Sequence, residues 1–179
     1  MKKTLLITFM ALATLNSYAQ KVIDGTFALL KDEKFVTVAW DFSKTVFEKK
    51  FNEKEWADIH TPAEWEEAKK EAMEKILEEA NGKLENATVY LVDATTYKEK
   101  TNYTIIITPK TLDKKGNNLS NYVLRKNANS EEVAVIEIKG DGGHFGSLSN
   151  LLGDGYEEAA RKLGKHIRNC LKVSGQIGF

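Results

Sequence analysis

Thr61-Pro-Ala-Glu-Trp-Glu-Glu-Ala-Lys-Lys-Glu-Ala-Met-Glu-Lys-Ile-Leu-Glu-Glu-Ala-Asn-Gly82 is the stretch from which the fold is read. Thr61 and Glu64 have the spacing of a capping box, in which the threonine oxygen accepts the Glu64 amide proton and the glutamate reaches back. Pro62 falls at the first helical position, where a missing amide proton costs nothing. Trp65, Ala68, Ala72, Ile76 and Ala80 recur at three- and four-residue steps, and Met73 and Leu77 widen the apolar stripe. Glu66 with Lys70 and Glu71 with Lys75 stand one turn apart on the polar side. The spacing predicts an amphipathic helix that ends at Asn81-Gly82.

Before this helix, Lys34 to Trp40 is β-branched and aromatic without a polar stripe, which suits a strand covered on both faces. Residues 41–60 fit neither period, and read as an irregular excursion that packs Phe42, Phe47, Phe51 and Trp56 against the core. After the helix, residues 87–92 and 103–108 are rich in Val, Tyr, Ile and Thr and read as strands. The polar loop 113–118 follows. Residues 122–125 and 132–138 then flank residues 126–130 as a hairpin, with Ala134, Ile136 and Ile138 on one face. A second helix is predicted over about 154–171, its stripe formed by Tyr156, Ala159, Ala160, Leu163, Ile167, Cys170 and Leu171. The order of elements predicts an α+β fold: a mixed, mostly antiparallel sheet of about five strands with two main helices packed on one face.

The first nineteen residues read as an export signal. Lys2 and Lys3 give a positive start, Leu5 to Leu15 is apolar, and Ser17-Tyr18-Ala19 supplies small residues for cleavage. The apolar run is shorter than the roughly 20 residues of a membrane-spanning helix. The mature protein is therefore expected to begin at Gln20, which cannot carry the acyl chains of a lipoprotein, and to form one domain over residues 20–179 in the periplasm or outside the cell. The chain carries 26 basic and 26 acidic residues, and loss of Lys2 and Lys3 leaves a formal charge of −2. That balance argues against nucleic acid, whose binders carry a basic excess. Cys170, the single cysteine, has no internal disulfide partner and reads as a small core residue.

Residues 140–155, Gly-Asp-Gly-Gly-His-Phe-Gly-Ser-Leu-Ser-Asn-Leu-Leu-Gly-Asp-Gly, hold half of the twelve glycines. One reading is a loop whose backbone amides approach an anion at a helix N-terminus, with Gly142, Gly143, His144, Ser147 and Asp154 as ligand-binding candidates. The other is a strand-to-helix crossover whose glycines permit positive φ, with Phe145 and Leu148 tucked into the core. The stretch matches neither the P-loop nor the dinucleotide fingerprint. Asp141, His144 and Asp154 are chemically able to hold a metal, yet no His-x-x-x-His or Cys-x-x-Cys pair accompanies them, and Asp154 equally suits a helix N-cap. No metal and no cofactor is assigned. Ser147 and Ser149 lack a nucleophile elbow. Cys170, four residues after His166, shares its helical face, but a thiol in apolar surroundings is inert. His60 reads as a boundary residue, and the acceptor patterns at Asn86, Asn102 and Asn118 as chance matches. The end from Lys172 reads as a polar tail.

Gly25-Thr-Phe-Ala-Leu-Leu-Lys-Asp-Glu-Lys34, Asp41-Phe-Ser43 and the ending Gly-Gly-His-Phe-Gly-Ser … Gly-Asp-Gly-Tyr-Glu … Leu-Gly-Lys-His-Ile resemble small secreted proteins of Bacteroides-type gut bacteria. That resemblance implies a compact α/β domain of the bacterial envelope and carries over no catalytic residue. The order of elements is also similar to the amino-terminal α/β domain of the Tol-Pal β-propeller protein, an interaction module, which is a fold-level analogy. The expected function is a non-catalytic envelope binding module, whose partner is an envelope protein, a glycan or a small ligand held beside the glycine-rich loop. The competing expectation is a small periplasmic hydrolase or metal-dependent enzyme built on Asp141, His144, Ser147 and Asp154. A third is a dimer contact made by the aromatics of residues 42–56.

Overall fold

The β-branched run after Lys34 forms strand β2 (Phe35–Trp40) in a computed structural model that describes residues 20–175. The expected signal peptide and residues 176–179 lie outside the described residues. β2 runs parallel to both of its neighbours, β4 (Tyr90–Asp93) and β5 (Tyr103–Leu112). From β5 the sheet continues antiparallel through β6 (Asn118–Lys126) and β7 (Glu132–Gly140) to β1 (Gln20–Gly25). A two-residue strand, β3 (Val46–Phe47), extends the β2 edge of β5. The α+β class and the mixed sheet are as the sequence predicts. The sheet has seven strands where about five were expected, and its strand pairs divide evenly between parallel and antiparallel. β1 escaped prediction because its side chains are nearly all exposed, which leaves no buried alternation to read.

Three α-helices accompany the sheet: α1 (Glu53–His60), α2 (Pro62–Lys83) and α3 (Leu148–Val173). α1 lies within the segment expected to be irregular. Its Asn52 cap and Glu55 form a reciprocal capping box in a helix too short to show a periodic stripe. At Thr61 only half of the expected box forms: the hydroxyl accepts the Glu64 amide proton at 3.4 Å, and the Glu64 carboxylate turns back to that hydroxyl at 3.1 Å and not to the Thr61 amide. α2 continues past Asn81-Gly82 because the Asn81 side chain turns inward instead of terminating the helix. Its amide nitrogen donates to the Leu91 carbonyl at 2.9 Å and its oxygen accepts the Leu91 amide proton at 2.8 Å. The ion pairs on α2 also differ from those expected: Lys69 reaches Glu66, Lys70 faces Glu74, and Lys75 crosses to Glu157 of α3.

α2 and α3 pack against each other over one face of the sheet. Cross-strand rows on that face are sealed, as in Val38, Ile105, Leu124 and Ala134, which are at most 2% exposed. Trp65, Ala68, Ala72, Ile76 and Ala80 from α2 and Tyr156, Ala159, Ala160, Leu163 and Ile167 from α3 complete one contiguous core. Burial of each large aliphatic side chain stabilises the fold by roughly 1.5–3 kcal/mol.

The chain leaves β2 over the helical face and reaches β4. It then returns to β5 across the opposite face by residues 94–102, a connection with no helix in it. That segment covers the outer side of β2: the Tyr97 ring lies 5.2 Å from Phe35, and the Thr101 hydroxyl 3.2 Å from that of Thr37. Thr37 also contacts the Thr104 hydroxyl at 2.7 Å, which donates to Asn127. Val36, Thr37 and Val38 are consequently all buried, as an unbroken β-branched run predicts.

Candidate functional site

The glycine-rich stretch is shaped by close backbone packing. A Cβ on Gly140 would run into the Gly155 carbonyl oxygen, one on Gly155 into the Gly116 carbonyl, and one on Gly142 into that of Lys115. Loop 113–118, the end of β7 and the first turns of α3 meet there with no room for side chains. α3 starts at Leu148, capped by Ser147, whose hydroxyl accepts the Asn150 amide proton at 3.2 Å. Asp154 is therefore not the cap. It lies within α3, exposed, with its carboxylate against Gly143. The helix begins earlier than expected and takes in two of the glycines assigned to the crossover: Gly155 fits because it has no side chain to meet the Gly116 carbonyl, while at Gly153 a Cβ would meet nothing closer than Lys75 Cγ at 3.7 Å.

Of the five candidate residues, Gly143 and Asp154 touch, the Gly142 amide donates to the Asn117 side chain at 2.9 Å, and the Ser147 hydroxyl serves as the cap. His144 is exposed beside Phe145, which is 93% exposed and not part of the core as expected; Leu148 does pack against it. Asp141 is paired with Lys139 at 2.6 Å, and that ammonium holds its carboxyl below the ordinary value. Among the described residues no three His, Cys, Asp or Glu side chains gather to hold a metal. A groove of about 380 Å³ runs beside the loop between Ser149, Asn150 and Asp154 of α3 and Glu71, Glu74 and Glu78 of α2.

A second cleft, of about 570 Å³, opens at the carboxyl ends of β2 and β4. Ligands of open α/β sheets favour this end, where crossovers depart to opposite faces, as they do on either side of β4. Both strands finish in the same way. After Trp40, the Asp41 carboxylate accepts the Ser43 amide proton at 3.0 Å; after Val92, the Asp93 carboxylate accepts the Thr95 amide and hydroxyl protons at 2.7 and 2.8 Å. Hydrogen bonds from Ser43, hydroxyl and amide, hold the Asp41 carboxyl below its ordinary value. Neither aspartate forms an ion pair among the described residues, although Lys44 adds a favourable field at Asp41.

The opposite wall of the cleft is built by the two helices that precede β4. Lys69 projects between Glu66 at 2.7 Å and Glu53 at 3.4 Å, with its ammonium 5.9 Å from the Phe42 ring centre and 5.4 Å from that of Trp65. The Trp65 indole donates to Glu53 at 3.0 Å and so ties α1 to α2. The floor is Trp40, half-buried, stacked on Phe42 at 5.0 Å. Beneath it Phe42, Phe47, Trp56 and Trp65 form a chain of ring contacts. Phe42, Phe47 and Trp56 are at most 5% exposed, so three of the four aromatics expected at a dimer contact are spent inside the molecule, and Phe51 is partly buried against the same core. Sequence reading passed over this cleft. Its only local signal is the repeat of Asp-x-Ser/Thr after two hydrophobic runs, and nothing in the linear chain says that the two runs are neighbours.

On the far side of the molecule, His166 and Cys170 share the face that their spacing predicts, with Cys170 Sγ 3.6 Å from His166 Nε2. The Gln20 side-chain amide lies 2.7 Å from His166 Nδ1, the Phe27 ring packs edge-on, and burial lowers the histidine pKa. Asn118, one of the three acceptor-pattern asparagines, is buried and bonded to Gly116 and Ser120. No helix among the described residues is long and apolar enough to cross a membrane.

No protein-family model matches the chain, and no curated protein does. Among solved structures, the PelC dodecamer from Paraburkholderia phytofirmans is similar with a TM-score of 0.40 and 12% identity, over 82% of this chain and 96% of that chain. A single-substitution variant of the same dodecamer gives 0.40 and 8% over 83% and 95%. Likeness of this order assigns neither a fold family nor a role.

Proposed function

We propose that the protein is an exported, non-catalytic binding module of the bacterial envelope, and that its binding groove is the cleft over Trp40. One observation carries the reading: the cleft sits where two parallel strands end. It combines an apolar floor with carboxylates, hydroxyls and a clamped lysine, and its volume lies within the roughly 300–1,000 Å³ of small-molecule sites. The groove first expected beside the glycine-rich loop has no comparable floor, and Gly140, Gly142 and Gly155 there are accounted for by backbone packing. Export is supported by the basic, apolar and small-residue sequence of the first nineteen positions.

Two measurements test the proposal. Mass spectrometry of protein recovered from the envelope fraction of cells expressing the full gene should give a chain that starts at Gln20. A mass that includes residues 1–19 overturns the export reading. Melting of that protein is then followed against sugars, peptidoglycan fragments, nucleotides and metals. A ligand of the cleft at a hundred times its dissociation constant adds about 2.7 kcal/mol. The shift should fall by about half or more in Asp93→Asn and persist in His144→Ala. Turnover in a hydrolase screen that is lost in His144→Ala would overturn the non-catalytic reading.

A further inference from the structure

The charges in the cleft narrow the ligand class, an inference that rests on the binding reading above. Lys69, between Glu53 and Glu66 and over the rings of Phe42 and Trp65, and Lys70 on the same wall already supply the cleft with two ammoniums, so a ligand cation competes with them for the carboxylates and meets occupied ring faces. Asp41 and Asp93 face a ligand anion with two carboxylates that have no ion-pair partner among the described residues. A neutral ligand rich in hydroxyls meets neither penalty. Each carboxylate is held by its own turn, Asp41 by Ser43 and Asp93 by Thr95 on its Oδ1, and among the described residues no other residue donates to either. Carboxylates accept from donors with charge-assisted strength, and sugar hydroxyls are such donors. Between the two turns lies half-buried Trp40, with Met73 beside it. An indole is a large apolar surface suited to the C–H face of a pyranose.

We infer that the cleft binds a neutral pyranose unit, its apolar face on Trp40 and its hydroxyls donated to Asp41 and Asp93. Binding would place the sugar beside the Lys69 ammonium, which donates to a further ring or hydroxyl oxygen without leaving Glu66.

Calorimetric titration tests this with oligomers of glucose, galactose, mannose and N-acetylglucosamine, set against cationic glucosamine and anionic galacturonate oligomers of equal length. At least one neutral series should bind, with a change in tryptophan fluorescence. Asp93→Asn and Asp41→Asn should each weaken it tenfold or more at an unchanged melting temperature, since asparagine still caps the turn. If only a charged oligomer binds, or a neutral one binds equally well to both variants, the inference falls. A peptide or other non-sugar ligand whose binding is lost in Asp93→Asn would overturn the sugar assignment and leave the binding module standing. No binding to the cleft by any probe overturns both.

Discussion

Thr61 is β-branched and has φ 68° and ψ 142°, a region that side chains with a Cβ avoid. It holds that conformation because it must end α1 and cap α2 at the same residue. Such backbone strain costs on the order of 1–3 kcal/mol, whereas exchanging a threonine cap for glycine costs only a few tenths. Thr61→Gly should therefore stabilise the protein by roughly 1 kcal/mol, read as a raised urea midpoint at constant slope; a lowered midpoint would show that the cap outweighs the strain. His166 acts in the opposite sense under acid. Burial lowers its folded pKa below the ordinary value of 6.5, so the unfolded chain takes up the proton first as pH falls. Its neutral form is the one the fold prefers. Stability should be flat above that value, decline as pH drops through it, and level off below the folded pKa. Urea titrations at neutral pH and near pH 5.5 should show this decline, and His166→Gln should flatten it.

Between them, the helices show what a linear pattern can and cannot reveal. α2 was legible almost residue for residue, because its cap, its proline and its stripe are all local. α1 left the same signature at Asn52 and Glu55, but eight residues are too few for a period to emerge. α3 was legible in its stripe and misjudged at its start. Gly155 has its place in the helix because loop 113–118 packs against its bare Cα, a contact the linear chain does not show. Glycines in helices accordingly divide by what they face. Gly164 lies against the Ala80 carbonyl, where a Cβ would approach to 2.5 Å, and Gly82 faces open space. Gly164→Ala should prise α2 from α3 and cost about 1–3 kcal/mol, the usual penalty of overpacking. Gly82→Ala should instead gain somewhat under 1 kcal/mol from helix propensity. Thermal melts of the two variants should move in opposite directions, and a shift of the same sign in both would refute the packing account.

At the scale of the whole molecule, the proposed binding function depends on which strand ends are neighbours. Trp40-Asp41-Phe42-Ser43 and Val92-Asp93-Ala94-Thr95 are separated by the whole of α1 and α2, and they share a cleft because β2 and β4 pair in parallel. Lys69 should hold that cleft in shape through Glu53, which also receives the Trp65 indole proton. Lys69→Met should lower ligand affinity while leaving the buried aromatic chain, and the near-ultraviolet circular dichroism it gives, unchanged. A lost aromatic signal would mean that the lysine supports the core itself. The amino-acid sequence alone determined the α+β class, the two long helices with their buried faces, the doubly covered strand β2 and the balance of charge, because each rests on local periodicity, capping or composition. Tertiary structure alone decided the seven-strand order, the packing role of the glycines and the position of the cleft. Those depend on contacts between residues tens of positions apart, for which the linear chain carries no local signal.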